Sequence, residues 1–172
     1  MMKKQAWLGV AFVVVFGLGY ALSSAISAPS DEKPKMKRVT GIGGIFFKCK
    51  DPIAVREWYG LHLGLTITPY GSTFAWFQGA DSTKNGYTQW SPFKETTKYF
   101  EPSTKEFMIN YRVENLTSLV DSLKAEGVTV VDTIASFSYG KFVHIMDLEG
   151  TKIELWEPND VEYGKLGSQV TR

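Results

Sequence analysis

The chain is poor in the residues that most often carry metal or covalent chemistry. It has one cysteine, Cys49, and two histidines, His62 and His144. A single cysteine excludes an intrachain disulfide and any cysteine-based zinc site, so cysteine usage is silent about redox compartment. Charge of one sign is also lacking: 19 Lys and Arg stand against 18 Asp and Glu, for a net charge of +1. Nucleic-acid binders neutralise phosphates with a basic stripe, and that class is set aside. What the chain has in plenty is aromatic surface, with 11 Phe, 8 Tyr and 5 Trp. Rings in that number must line a core or a cavity, because few of them can face water.

Long apolar runs are confined to the N-terminus. Lys3 and Lys4 are followed by residues 6–28, which carry no charge. A run of about 23 residues is enough to cross a hydrocarbon core of about 30 Å. Two readings stay open for residues 1–28. One is a signal-anchor helix in the membrane; the other is a signal peptide with small residues at Ser23-Ser24-Ala25 for cleavage. Both hold the positive end in the cytoplasm and carry the remaining chain across. The domain is then membrane-anchored on the extracytoplasmic side, or secreted or periplasmic after cleavage. Residues 29–37, PSDEKPKMK, read as a polar linker.

From residue 38 the pattern is α+β. Residues 39–50 are β-rich. Asp51-Pro52 supplies an N-cap followed by proline at the first helical position, and Gly64 supplies the stop. Strands are expected at 65–69, 72–78 and 86–90, separated by turn residues. The plan then repeats. A strand at 106–113 leads to a helix opening at Glu114-Asn115, with Leu116, Leu119, Val120 and Leu123 on one face. Gly127 ends it, and strands are expected at 128–133, 141–146 and 152–157. The two halves, 38–92 and 106–158, are thus βαβββ modules forming one curved mixed sheet around a cleft. The connection 93–105 is long and polar, and 159–172 reads as a flexible tail.

The residues Gly44-Ile45-Phe46-Phe47-Lys48-Cys49-Lys50-Asp51, Trp58-Tyr59, Leu63-Gly64-Leu65, the strand 107–113 and the ending Met146-Asp147-Leu148-Glu149-Gly150-Thr151-Lys152-Ile153-Glu154-Leu155 recur in this order. In that order and spacing they resemble the vicinal oxygen chelate superfamily, which includes glyoxalases, bleomycin-resistance proteins and extradiol dioxygenases. The stretch 41–47, Trp90-Ser91-Pro92-Phe93 and Met108-Ile109-Asn110-Tyr111-Arg112-Val113 are similar to a glyoxalase-like subfamily. The resemblance covers residues 38–158. Metal-using members hold one divalent ion with four side chains from the first and last strands of each half. The resemblance places those positions at Gly44, Thr88, Met108 and Glu154. Glycine has no donor, and a thioether suits hard or borderline ions poorly. No metal or other cofactor is therefore expected, a divalent ion being the alternative.

Strand alternation assigns the cleft face. Phe46, Lys48, Trp90, Asn110, Arg112 and Trp156 are expected to line it as ligand contacts, with Glu154 as carboxylate acceptor or general base. His144 and Tyr139 are further acid/base candidates. Ile45, Phe47, Cys49, Phe107, Ile109, Tyr111, Val113, Ile153 and Leu155 are expected under the helices. Rings with a few convergent polar groups suit a small-molecule pocket. Three functions follow. The first is metal-free binding of a small oxygenated or aromatic molecule. The second is a metal-dependent or Glu-based lyase, isomerase or dioxygenase of the glyoxalase type. The third is a membrane-tethered interaction module. A homodimer is compatible with the resemblance.

Overall fold

A computed structural model describes residues 38–166, 170 and 171. The expected N-terminal segment and linker, residues 1–37, lie outside the described residues. Among the described residues no helix is long and apolar enough to cross a membrane.

The described chain is α+β. Its strands are β1 (Val39–Cys49), β2 (Ser72–Gln78), β3 (Asp81–Lys94), β4 (Phe107–Val113), β5 (Ala135–Phe137), β6 (Gly140–Met146) and β7 (Lys152–Pro158). Its helices are α1 (Pro52–Leu63), α2 (Leu116–Ala125) and α3 (Asp160–Leu166). All seven strands form one sheet in the order β2-β3-β1-β4-β7-β6-β5. The parallel pairs β1/β3 and β4/β7 each enclose a crossover helix, and the antiparallel pair β1/β4 joins the two halves. The expected α+β frame is present, with the first half ordered βαββ and the second βαβββ in place of two βαβββ modules.

Local chemistry explains the helix ends. Asp51 Oδ1 accepts from the amides of Ile53 and Ala54 at 3.0 and 3.1 Å. Gly64 closes α1 at φ 71°, a left-handed conformation that costs glycine nothing. α2 is capped from a distance: its Leu116 amide donates to Glu157 Oε2 at 2.6 Å, while Asn115 makes no side-chain cap.

Two expected strands are not strands. Segment 65–69 forms only the bridge Thr68–Gly71, because the Thr66 amide donates to Thr171 Oγ1 at 2.8 Å instead of to a ladder. Segment 128–133 keeps two backbone bonds to β6, Val131 N to His144 O and Met146 N to Thr129 O, before β5 resumes the edge. The expected flexible tail also differs: residues 160–166 fold as α3 against β3. The cause is the nearly fully buried Arg112, whose guanidinium needs a counter-charge. Asp160 at the start of α3 supplies it in a two-pronged ion pair at 2.9 and 2.6 Å.

The helix-side core is unequal. Leu116, Leu119 and Val120 of α2 close over Val113, Val143, Ile145 and Leu155, with Tyr111 and Ile153 against them. Each such side chain contributes roughly 1.5–3 kcal/mol. α1 has no buried residue, and Ile45 and Phe107, expected under a helix, are exposed.

Candidate functional site

Register builds the site. Gln89 pairs with Gly44, Gly44 with Asn110, Asn110 with Glu154, and Glu154 with His144. One row of residues therefore crosses five neighbouring strands. Backbone pairing fixes this row, which no contiguous stretch of sequence contains. A register irregularity between Ile42 and Gly44 turns Gly43 toward the same side.

Glu154 stands between Asn110 and His144 in the row and is buried. Its Oε1 accepts from Asn110 Nδ2 at 2.6 Å. Its Oε2 meets His144 Nε2 at 3.0 Å and accepts from the Tyr99 hydroxyl. The other imidazole nitrogen, Nδ1, lies 2.6 Å from Asp132 Oδ2, and Asp132 Oδ1 accepts the His144 amide at 2.9 Å. The imidazole is thus held between two carboxylates. Burial opposes its charged form, but the bonds to Glu154 and Asp132 outweigh burial and lift its pKa above the ordinary value. Burial, then the Glu154 charge, push the Tyr99 hydroxyl far above its usual range, so Tyr99 is a proton donor here and not a phenolate. Lys152 stands behind Tyr99, its ammonium given to the Tyr99 carbonyl at 2.7 Å; burial lowers its pKa.

A cavity of about 390 Å³ opens on this row. Phe46, Phe142, Trp156 and Tyr163 wall it, with Phe137 and Tyr139 at its β5–β6 side. Phe142 stacks on Trp156 at 5.7 Å and 7°, and Phe137 on Tyr139 at 5.3 Å and 8°. Gln89, Asn110, His144, Glu154 and Tyr99 supply its polar groups.

Of the residues expected at the site, Phe46, Asn110, Tyr139, His144, Glu154 and Trp156 line this cavity. Trp90 does not. It packs against Tyr59 of α1 at 4.6 Å and against Phe47 at 5.4 Å, on the helix side. Lys48 turns to Glu106 at 3.7 Å and to the Phe100 ring. Arg112 is consumed by Asp160 and lies between the Trp76 and Trp156 rings at 5.4 and 5.1 Å. The cause of the Trp90 error is a one-residue offset. The resemblance sets Thr88 as the counterpart of Glu154, whereas register sets Gln89 in the row. Trp90 then takes the helix-side place that Leu155 takes in the second half. Met108 is likewise outside the row, fully buried with Phe46 and Phe100. The half-buried Cys49 has its thiol pKa raised, by burial first and by Asp51 next, which leaves it a poor nucleophile.

Sequence reasoning missed Tyr99, Gln89, Asp132, Phe137, Phe142 and Tyr163. One signal existed for Tyr99: Tyr99-Phe100 is a pair of rings inside an otherwise polar connection. Phe100 is fully buried in the Phe46–Met108 cluster, and that anchors Tyr99 beside Glu154.

The row holds Gln89, Asn110, Glu154 and His144 around Gly44: one carboxylate, one imidazole and two amides. A side chain at Gly44 would place Cβ 2.6 Å from the Phe46 ring, so that place is filled. Among the described residues no group of three or more His, Cys, Asp or Glu could hold a metal.

No family model and no curated protein matches the chain. Solved structures do. A methylmalonyl-CoA epimerase from Mycobacterium tuberculosis is 18% identical at a TM-score of 0.51, covering 77% of this chain and 97% of that one. A methylmalonyl-CoA epimerase in complex with methylmalonyl-CoA and NH4+ is 17% identical at 0.53, covering 72% and 97%. A variant from Streptomyces coelicolor in complex with 2-nitronate-propionyl-CoA is 17% identical at 0.52, covering 70% and 99%. These epimerases belong to the vicinal oxygen chelate superfamily. At such identity the likeness is one of fold, and the fold is compatible with a small-molecule cleft.

Proposed function

We propose that this domain binds a small aromatic or oxygenated molecule in a cleft that needs no metal. The observation that carries the reading is the Glu154 centre. A buried carboxylate fully organised by Tyr99, Asn110 and His144 lies at the base of an aromatic cavity. Three donors already stabilise that charge, which is the work a metal ion would otherwise do. The neighbours' CoA thioesters are not the ligand proposed, because among the described residues no lysine or arginine lines the cavity to meet phosphates.

A second reading has its own support. The chain Asp132–His144–Glu154 links a buried carboxylate to a half-exposed one through an imidazole. That arrangement can move a proton away from the cavity, so a Glu-based isomerase or lyase is the enzymatic alternative. For location we propose the extracytoplasmic side, on the sequence of residues 1–28 alone.

The test uses the full-length chain. Thermal shifts across a panel of aromatic and oxygenated metabolites are expected to show saturable stabilisation that survives chelator treatment and is lost in Phe142→Ala. One equivalent of a transition metal in the purified protein, lost in Glu154→Ala, would sink the metal-free reading. No shift across the panel would sink small-molecule binding.

A further inference from the structure

The cavity's hydrogen-bonding capacity is one-sided. Most of its side-chain donors are already engaged, the second N–H of Asn110 Nδ2 and the Tyr139 hydroxyl being the exceptions. His144 uses both ring nitrogens, and the Tyr99 hydroxyl goes to Glu154. The Tyr163 hydroxyl goes to Gln89 Oε1 at 3.0 Å, Gln89 Nε2 to the Tyr70 carbonyl, and Trp156 Nε1 to the Tyr139 carbonyl. The spare capacity is in acceptors. Asn110 Oδ1 is buried and accepts no hydrogen bond. Glu154 Oε1 takes a single bond, although a carboxylate oxygen can take two. The Tyr139 hydroxyl can accept as readily as donate.

Charge points the same way. The cavity wall carries Glu154 and His144, with Asp132 behind the imidazole and Lys152 behind Tyr99. An anion entering would meet the Glu154 carboxylate with only the His144 imidazole to offset it, since among the described residues no lysine or arginine lines the cavity. A cation would meet that carboxylate and the rings of Phe46 and Phe142, whose quadrupoles attract positive charge, while the Trp156 ring is already faced by Phe142 and Arg112.

Resting on the small-molecule reading above, we propose that the cleft selects a ring-bearing organic cation with N–H donors, of the amidinium or primary ammonium class. Its ring lies among the aromatic walls, and its N–H groups donate to Asn110 Oδ1 and Glu154 Oε1.

Three probes of nearly equal shape isolate the claim: benzamidine, benzamide and benzoate. Calorimetry on the full-length protein is expected to rank benzamidine at least about tenfold tighter than benzoate, with benzamide between. Glu154→Gln, with its fold checked by circular dichroism, is expected to erase the cation preference. The wild-type ranking decides the matter even where that variant does not fold. Benzamide or benzoate binding as tightly as benzamidine overturns the cation proposal and leaves the small-molecule reading standing. No binding by any of the three at millimolar concentration overturns this proposal, while the wider metabolite panel still judges the small-molecule reading.

Discussion

Asp160→Ala tests whether the C-terminal helix belongs to the site. Asp160 accepts from Arg112 Nη1 at 2.9 Å, Arg112 Nη2 at 2.6 Å and Gln78 Nε2 at 2.8 Å. The Arg112 side chain is 3% exposed and that of Asp160 21%. Removing the carboxylate strands a buried guanidinium, which costs about 3–5 kcal/mol for a fully buried pair. Partial exposure of Asp160 and the two flanking Trp faces lower the figure, and about 3 kcal/mol is expected. With a urea slope of about 1.5 kcal/mol per M, the unfolding midpoint falls by about 2 M. Equilibrium urea unfolding followed by Trp fluorescence measures it. Adding Arg112→Met to Asp160→Ala is expected to recover part of the loss, since no buried charge is then unpaired. Ligand affinity is expected to fall as well, because α3 carries Tyr163 into the cavity wall. A loss below about 0.5 kcal/mol would refute the reasoning: the pair would then behave as a solvated surface bridge.

Gly43→Ala is expected to cost about 1–3 kcal/mol by overpacking. The new Cβ would run into Asn110 Oδ1, Trp156 Cε3 at 2.7 Å and Arg112 Cγ at 3.1 Å, all on buried side chains; an unchanged melting temperature would count against that packing. The raised His144 pKa predicts the pH profile of stability. A group whose folded pKa lies above its unfolded value of about 6.5 stabilises fully below that pH, and the contribution fades as pH rises through the folded pKa. Urea unfolding from about pH 6 upward is expected to show declining stability that His144→Gln flattens; stability that rises over that interval would contradict the His144–Glu154 linkage.

How far the sequence reaches can be judged residue by residue. Asp51-Pro52 and Gly64 mark α1 because capping is local. The apolar face Leu116, Leu119, Val120 and Leu123 marks α2 because a helix repeats every 3.6 residues. The repeat of strand and helix signals followed from the same local rules, whereas Glu154 was marked by the family resemblance. What failed were statements that depend on register. Shifting by one residue moves a side chain to the other face of a sheet, so Trp90 went to the wrong face and Gln89 was overlooked. Lys48 and Arg112 were placed by alternation alone, yet long side chains go where a counter-charge waits.

The sequence by itself determined the α+β frame, its two halves, and the wealth of rings over metal ligands. These follow from periodicity, caps and composition, all set by neighbours along the chain. Only the tertiary structure decided the row Gln89–Gly44–Asn110–Glu154–His144. It also decided the arrival of Tyr99 from the connecting segment and the closure of α3 over the cavity. Each of these joins residues far apart in the chain. Burial makes such contacts obligatory: an unpaired Glu154 or Arg112 inside the fold would cost several kcal/mol, so the packed chain must bring them partners.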